Sequence, residues 1–245
     1  MKVKQKDGRR MYIDLAWAWS IISPKENYIP EAEEIRKVIE SHAQVKIKDI
    51  LHLGCGGGHL DYTFKNYYEV TGADVSEDML GLARKLNPEV NYLIGDMRNM
   101  QLDRAVDAVI IADSIDYMLT EKELRKSFWT AFEHLIPGGV FYTYAEVKRE
   151  RFQQNRIYVT THKQGDIEIT LIENNYDPDP TDTMYESVFL YLIRRKSRLE
   201  IETDQHLGGI FPQTTWFNLL KEVGFDTKET IFDLEGIPAF VGIKP

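Results

Sequence analysis

The run Ile50-Leu51-His52-Leu53-Gly54-Cys55-Gly56-Gly57-Gly58-His59 constrains this chain more than any other stretch. Mostly apolar residues lead straight into a glycine-rich turn, and a stretch able to form a helix follows. Glycine belongs where backbone turns tightly or lies against a ligand, because a Cβ would block either. The glycines at 54, 56 and 58 make a Gly-x-Gly-x-Gly pattern. A dinucleotide fingerprint needs one more glycine at position 59, where this chain has His59. That residue argues against a nicotinamide-dependent oxidoreductase and for a nucleoside without a pyrophosphate.

Two carboxylates extend the pattern. Asp74 closes Val70-Thr71-Gly72-Ala73-Asp74, twenty residues beyond Gly54. In a β-α-β unit that spacing puts a carboxylate at the tip of the second strand, where it can accept hydrogen bonds from ribose hydroxyls. Asp96 closes Tyr92-Leu93-Ile94-Gly95-Asp96. It is placed to meet an adenine amino group, with Val75 and Met97 covering the ring faces.

The remaining pattern is alternating. Strands are expected at 48–53, 68–74, 91–95, 107–112 and 140–146, with helices at about 58–66, 76–86 and 120–135 between them. Thr120 and Glu123 form a capping box for the last helix, and Pro137-Gly138-Gly139 ends it. Short links between alternating elements argue for a parallel sheet. Residues 11–22 read as an amphipathic helix behind a basic tail (Lys2, Lys4, Lys6, Arg9, Arg10), and Pro30 opens another helix. Beyond 150 the segments 156–163, 167–174, 184–193 and 197–203 are β-rich and turn-separated, as in an antiparallel meander. A helix over 214–223, capped by Gly224, and strands at 227–233 and 238–243 complete the sheet.

Together these stretches resemble the class I S-adenosylmethionine-dependent methyltransferases. The residues that carry the resemblance are Leu53 to Gly58, Gly72 to Leu80, Gly95-Asp96-Met97, Asp107 to Ser114 and Leu135 to Phe141. The resemblance implies an α/β, doubly wound, Rossmann-like sheet of seven mostly parallel strands with helices on both faces, here with an inserted antiparallel β subdomain. It implies S-adenosylmethionine as cofactor and transfer of a methyl group to nitrogen or oxygen. The expected cofactor contacts are Tyr12, Gly54, Cys55, Gly56, Gly58, Asp74, Val75, Met79, Asp96, Met97, Ala112 and Ser114. Members usually carry Asp or Glu where this chain has His52, a departure that bears on how the methionine end is anchored. The chain then divides into an N-terminal helical lid (1–45), a cofactor-binding core (46–150), the β insertion (151–205) and a C-terminal helix with the last strands (206–245).

Methyl transfer from a sulfonium needs alignment, exclusion of water and at most one proton removed, so no catalytic triad is required. Asp113 and Ser114 follow the fourth strand, where the family's reacting methyl lies. The Asn/Asp-Pro-Pro-aromatic motif of nucleobase and amide methylating enzymes is missing there. His206, on the path from the meander back to the core, is a second candidate; enzymes methylating amino sugars place a histidine similarly. Asp113 and Ser114 are as readily strand-end caps, and His206 a backbone-bonded loop residue. No metal set is spaced for coordination, and the Asp177–Asp182 turn lacks the glycine and terminal glutamate of a calcium loop.

Composition narrows the partners. A net charge of −9 argues against nucleic acid, whose binding draws on Lys and Arg. The single cysteine, Cys55, excludes an intrachain disulfide and fits a cytoplasmic location. No stretch is long enough to span a bilayer. A small-molecule substrate and a possible homodimer through the β insertion are expected, with a catalytically silent nucleoside-binding module as the alternative.

Overall fold

The computed structural model describes residues 9–147, 149–196, 198–232 and 237–245. Lys2, Lys4 and Lys6 of the basic tail, and the ends of two expected strands (197 and 233), lie outside them. The central sheet has strands β1 (Asp49–Leu53), β2 (Glu69–Asp74), β3 (Asn91–Ile94), β4 (Val106–Ile111), β5 (Leu135–Tyr144), β10 (Asp226–Phe232) and β11 (Ile237–Ile243). Their order is β10-β11-β5-β4-β1-β2-β3. Every pair is parallel except those made by β11, which runs antiparallel to both β5 and β10. The sheet is therefore the seven-stranded, doubly wound one expected.

The strands are apolar on both sides because both sides are covered. Ile50 and Ile110 face a core built with Ile35 and Ile39 of α2 (Ile29–His42), Phe64 of α3 (Asp61–Phe64) and Leu80 of α4 (Glu77–Leu86). Leu51, Leu53 and Ile111 face the other core, with Phe128 of α5 (Glu121–His134) and Trp216 of α6 (Gln213–Val223). Trp216 stacks on Phe240 of β11 with the rings 5.1 Å apart and 5° from parallel. Ser76 caps α4 by accepting from Met79 N, and Thr120 caps α5 by accepting from Glu123 N. Gly224 closes α6 at φ 113°, the left-handed conformation a helix C-cap uses.

Four boundaries differ from the sequence reading. The helix expected from 58 begins only at Asp61, because Gly54, Gly56 and Gly58 all take positive φ and carry the turn onward. The strand expected at 140 begins at Leu135, directly after α5, and contains Pro137-Gly138-Gly139 within it. Residues 10–22 form three short helical turns, Arg10–Tyr12, Ala16–Ala18 and α1 (Trp19–Ile22), in place of one helix. The last meander strand runs to Gly209.

The insertion is a four-stranded antiparallel sheet in the order β6 (Arg156–Gln164), β7 (Ile167–Tyr176), β8 (Met184–Arg195) and β9 (Arg198–Gly209). Its inner face presents Ile169, Phe189, Tyr191 and Ile193 to Met11, Leu15, Ala18 and Ile21. The N-terminal turns are thus the filling between the meander and the core. No helix among the described residues is long and apolar enough to cross a membrane.

Candidate active site

The glycine turn and Asp74 are joined as the spacing predicts. Gly54 N and Cys55 N donate to Ala73 O at 2.7 and 3.0 Å. Gly56 N and Ser76 N each donate to the Asp74 carboxylate at 2.9 Å. Burial raises the Asp74 pKa, and the two backbone donors oppose that shift by favouring the anion. A Cβ on Gly54 would stand 2.0 Å from Ser114 Oγ and 2.9 Å from Met97 Cε, so the ends of three strands converge on this turn. The backbone there is a cradle that any side chain would fill.

A buried network holds the turn from below. Asn87 Nδ2 donates to Gly58 O at 2.8 Å and to Tyr92 Oη at 2.9 Å. Tyr92 donates to Asp61 Oδ2 at 3.0 Å, and Asp61 Oδ1 is 2.7 Å from His52 Nδ1. Asp61 is 0% exposed and His52 2%. Burial works against a charged His52, but the charge and hydrogen bond of Asp61 outweigh it, and the His52 pKa is raised. Asp61, nine positions later, is therefore the buried carboxylate that partners His52. His52 Nε2 is buried without a hydrogen-bond partner.

The other expected contacts separate into groups. Val75 is 48% exposed beside the turn, while Met97 is almost fully buried. Met79 is buried with its Cε 3.5 Å from where a Gly56 Cβ would be, which places it beneath the turn. Cys55 is buried, and burial pushes its thiol pKa well up, the behaviour of an inert packing residue. Asp96 is gripped by Arg98, with Nε 3.0 Å from Oδ1 and Nη2 2.7 Å from Oδ2, and Arg98 reaches Glu123 at 2.6 Å. Burial disfavours the Asp96 charge, Arg98 more than compensates, and the pKa falls. Ala112 O accepts from Ile115 N, and Ser114 Oγ donates to Leu53 O.

His206 is not in a loop. It lies within β9, 3% exposed, with both ring nitrogens engaged. Nε2 is 2.8 Å from Asp204 Oδ2, and Nδ1 is 3.0 Å from Tyr117 Oη, which is 2.6 Å from Tyr12 Oη. His206 is thus part of a chain Tyr12–Tyr117–His206–Asp204. Met11 N donates to the same Asp204 oxygen, and Arg9 lies over the Tyr117 ring at 3.6 Å. These contacts bind the N-terminal segment to β9. At its other end Trp19 Nε1 donates to His59 Nδ1 at 3.1 Å. Burial depresses the His59 pKa to about 4, so the imidazole is neutral and able to accept that bond.

Sequence reasoning singled out Asp113 but missed the residues that gather around it. Tyr144 Oη lies against both Asp113 Oδ1 and Glu31 Oε1, the latter at 2.9 Å. Asp116 is buried nearby, and Glu146 follows β5. The parallel register Ile111↔Thr143 brings the end of β4 beside the end of β5, and no local motif announces it.

The strand order and the turn-plus-carboxylate geometry define a class I methyltransferase fold. The family described as a methyltransferase domain matches residues 50–139. That match lies within the cofactor-binding half of a chain whose fold is that of the class I methyltransferases. A Streptomyces venezuelae dTDP-3-amino-3,4,6-trideoxy-alpha-D-glucopyranose N,N-dimethyltransferase is 36% identical over 117 residues, 47% of this chain and 49% of that protein. A Streptomyces fradiae dTDP-3-amino-3,6-dideoxy-alpha-D-glucopyranose N,N-dimethyltransferase is 28% identical over 152 residues, 61% of this chain and 59% of that protein. The chain thus spans between half and three-fifths of the length of these relatives. Among solved structures, Streptomyces venezuelae DesVI superposes with a TM-score of 0.84 at 23% identity, over 95% of this chain and 96% of the other. CalS10 of Micromonospora echinaspora, an amino pentose methyltransferase solved with S-adenosylmethionine, gives 0.80 at 21% identity, over 89% and 92%. At these identities the likeness is one of fold.

Proposed function

We propose that the chain is an S-adenosylmethionine-dependent methyltransferase acting on a nitrogen of a small amine-bearing molecule. One observation carries the cofactor reading: the Gly54–Gly58 cradle, with the Asp74 carboxylate fixed beside it by two backbone donors. The fixed carboxylate keeps acceptor capacity for vicinal ribose hydroxyls. Val75 and Met97 flank the adenine position, and Asp96, kept ionised by Arg98, accepts from the adenine amino group. Gly54, Cys55, Gly56 and Gly58 supply close backbone approach, and Ala112, Ser114 and Tyr12 border the methionine end. Met79 acts by supporting the turn. Bound there, the cofactor supplies a methyl group activated as a sulfonium.

Nitrogen is favoured over oxygen by the acidic groups gathered between α2 and the end of β4, Glu31, Asp113 and Asp116, which suit a cationic acceptor. The names of the two amino-sugar relatives point the same way. The same groups favour an enzyme over a silent nucleoside-binding module. The N-terminal segment to about 45 serves as the lid, since it ties the glycine turn to β9. The meander over 151–205 caps the acceptor pocket. The test is methyl transfer to dTDP-3-amino-3,4,6-trideoxyglucose and other primary amines, read as S-adenosylhomocysteine formed. Transfer to hydroxyl acceptors alone would overturn the nitrogen assignment.

A homodimer through the insertion belongs to the same reading. The outer face of the meander aligns Ile157, Val159, Ile172, Val188 and Leu190 in neighbouring register positions. Ile157 and Val159 are 62% and 60% exposed. An apolar sheet face of this kind is a self-association surface. Sedimentation of the wild type against Ile157→Lys/Val159→Lys tests it: a dimer that dissociates in the variant is expected, and a wild-type monomer would refute it.

A further inference from the structure

Glu31 stands in the first turn of α2, Asp113 just after β4 and Tyr144 at the end of β5. The Tyr144 hydroxyl touches both carboxyls. A phenol has one proton and cannot donate to two carboxylates at once. One further proton satisfies all three groups: one carboxyl donates to the phenol oxygen, and the phenol donates to the other carboxyl. We infer that Glu31 and Asp113, bridged by Tyr144, are the proton-accepting pair of the acceptor site and take the proton of an amine substrate's ammonium group. The inference rests on the reading of the chain as an amine methyltransferase.

The surroundings support a cation at this place. Among the described residues, none of Glu31, Asp113 and Asp116 is ion-paired with a lysine or arginine. The opposing charge that acts on Glu31 and Asp113 is His52, from β1. Glu146 acts on Glu31 and on Asp116 with the same sign as the pair. Tyr28 and Tyr142 complete the set of titratable neighbours, each feeling both Glu31 and Asp113. Two buried polar atoms beside the group have no hydrogen-bond partner, Asp116 Oδ1 and His52 Nε2. Asp116 is only 8% exposed, and Asp113 and Glu146 both raise its pKa after burial has done so. Asp113 itself is open to water, although protein surrounds it closely, as at the bottom of a cleft. Desolvation by those walls, then Glu31, raises Asp113 to about 7; desolvation, then Glu146, raises Glu31 to about 7.

The proposed step is a proton transfer alone. The ammonium N–H bond breaks and its electron pair stays on nitrogen, leaving the neutral nucleophile. The proton forms an O–H bond on the ionised pair, which returns to the one-proton state and later loses that proton to water. Below about pH 7 the pair already holds its shared proton and accepts poorly, so the rate rises with pH through that value.

The experiment compares the full chain with Asp113→Asn, Glu31→Gln and the near-isosteric Tyr144→Phe. Infrared titration of the unliganded protein needs no acceptor. The wild type is expected to retain a protonated carboxyl band up to about pH 7, and either carboxyl variant to lose it. Absence of that band in the wild type overturns the inference. Turnover of dTDP-3-amino-3,4,6-trideoxyglucose is then followed against pH. Each carboxyl variant should lose about 10²-fold in kcat, the lower end of general-base contributions. The inflection should vanish and S-adenosylhomocysteine affinity should stay unchanged. A wild-type pH profile in the variants, or a loss of S-adenosylhomocysteine affinity that matches the loss of rate, overturns the inference. Failure of the wild type to bind S-adenosylhomocysteine would instead strike the underlying methyltransferase reading, while the infrared band still decides the shared proton.

Discussion

Asp61→Asn perturbs the network under the glycine turn with almost no change of shape. In the native protein the two Asp61 oxygens accept from His52 Nδ1 and Tyr92 Oη, and all three side chains are buried. Asparagine keeps one acceptor for His52 but turns its amide nitrogen toward Tyr92. The phenol then faces amide donors from both Asn87 and the new side chain, and its own proton has no acceptor. The charge partner of His52 is lost as well. Removing one member of a buried pair costs about 3–5 kcal/mol, because the remaining charge is left uncompensated. For a domain of this size that corresponds to a fall in Tm of about 6 °C or more. The penalty depends on pH. The folded pKa of His52 is raised above its ordinary 6.5, so the pair's stabilisation is full below 6.5 and is lost as pH rises through the folded value. In the variant, burial opposes a charged His52 with only the more distant Asp74 and Glu31 to offset it, so acid pH becomes the less favourable side. The gap between wild type and variant should therefore be widest near pH 6 and narrower near pH 9. Urea unfolding at both values reads it. A gap below about 1 kcal/mol, within the range of an ordinary neutral hydrogen bond, or a gap equal at the two pH values, would refute the reasoning.

Two further outcomes follow from the same geometry. Gly58→Ala places a methyl 2.5 Å from Tyr92 Oη at φ +73°, so it should destabilise by about 1–3 kcal/mol and weaken S-adenosylhomocysteine binding, measured by unfolding and calorimetry. Tyr117→Phe cuts the link between Tyr12 and His206 without altering packing. It should lower kcat more than it changes S-adenosylhomocysteine affinity; unchanged kcat would show that this hydrogen-bond chain serves only to hold the N-terminal segment against β9.

Much of the fold was legible because its signals are local. Apolar strands, the glycine turn, the Thr120 and Ser76 caps and the Gly224 stop each follow from backbone chemistry within a few residues. The close pair of strands at the C-terminus was expected, and β11 of that pair is the antiparallel one. The length of α3 was misread because three alternate positive-φ glycines, Gly54, Gly56 and Gly58, prolong the turn, which composition alone does not show. His206 lay beyond the last expected meander strand (197–203), yet β8 holds that stretch in register up to Met184↔Gly209. Pairing across the sheet overrode local preference there. The pairing of Asp61 with His52, and the meeting of Glu31, Asp113 and Tyr144, depend on packing between segments apart in sequence. Asp96 was identified as a site residue, but its grip by Arg98 was visible only once the loop conformation was known.

The central claim is that the Gly54–Gly58 cradle and Asp74 hold a sulfur nucleoside. Calorimetric titration with S-adenosylmethionine and S-adenosylhomocysteine, with NADH as control and Asp74→Ala alongside, tests it most directly. Micromolar binding of either sulfur nucleoside, no binding of NADH, and a large loss of affinity in a folded Asp74→Ala variant are predicted. Binding of neither sulfur nucleoside, or binding untouched by Asp74→Ala, would contradict the account.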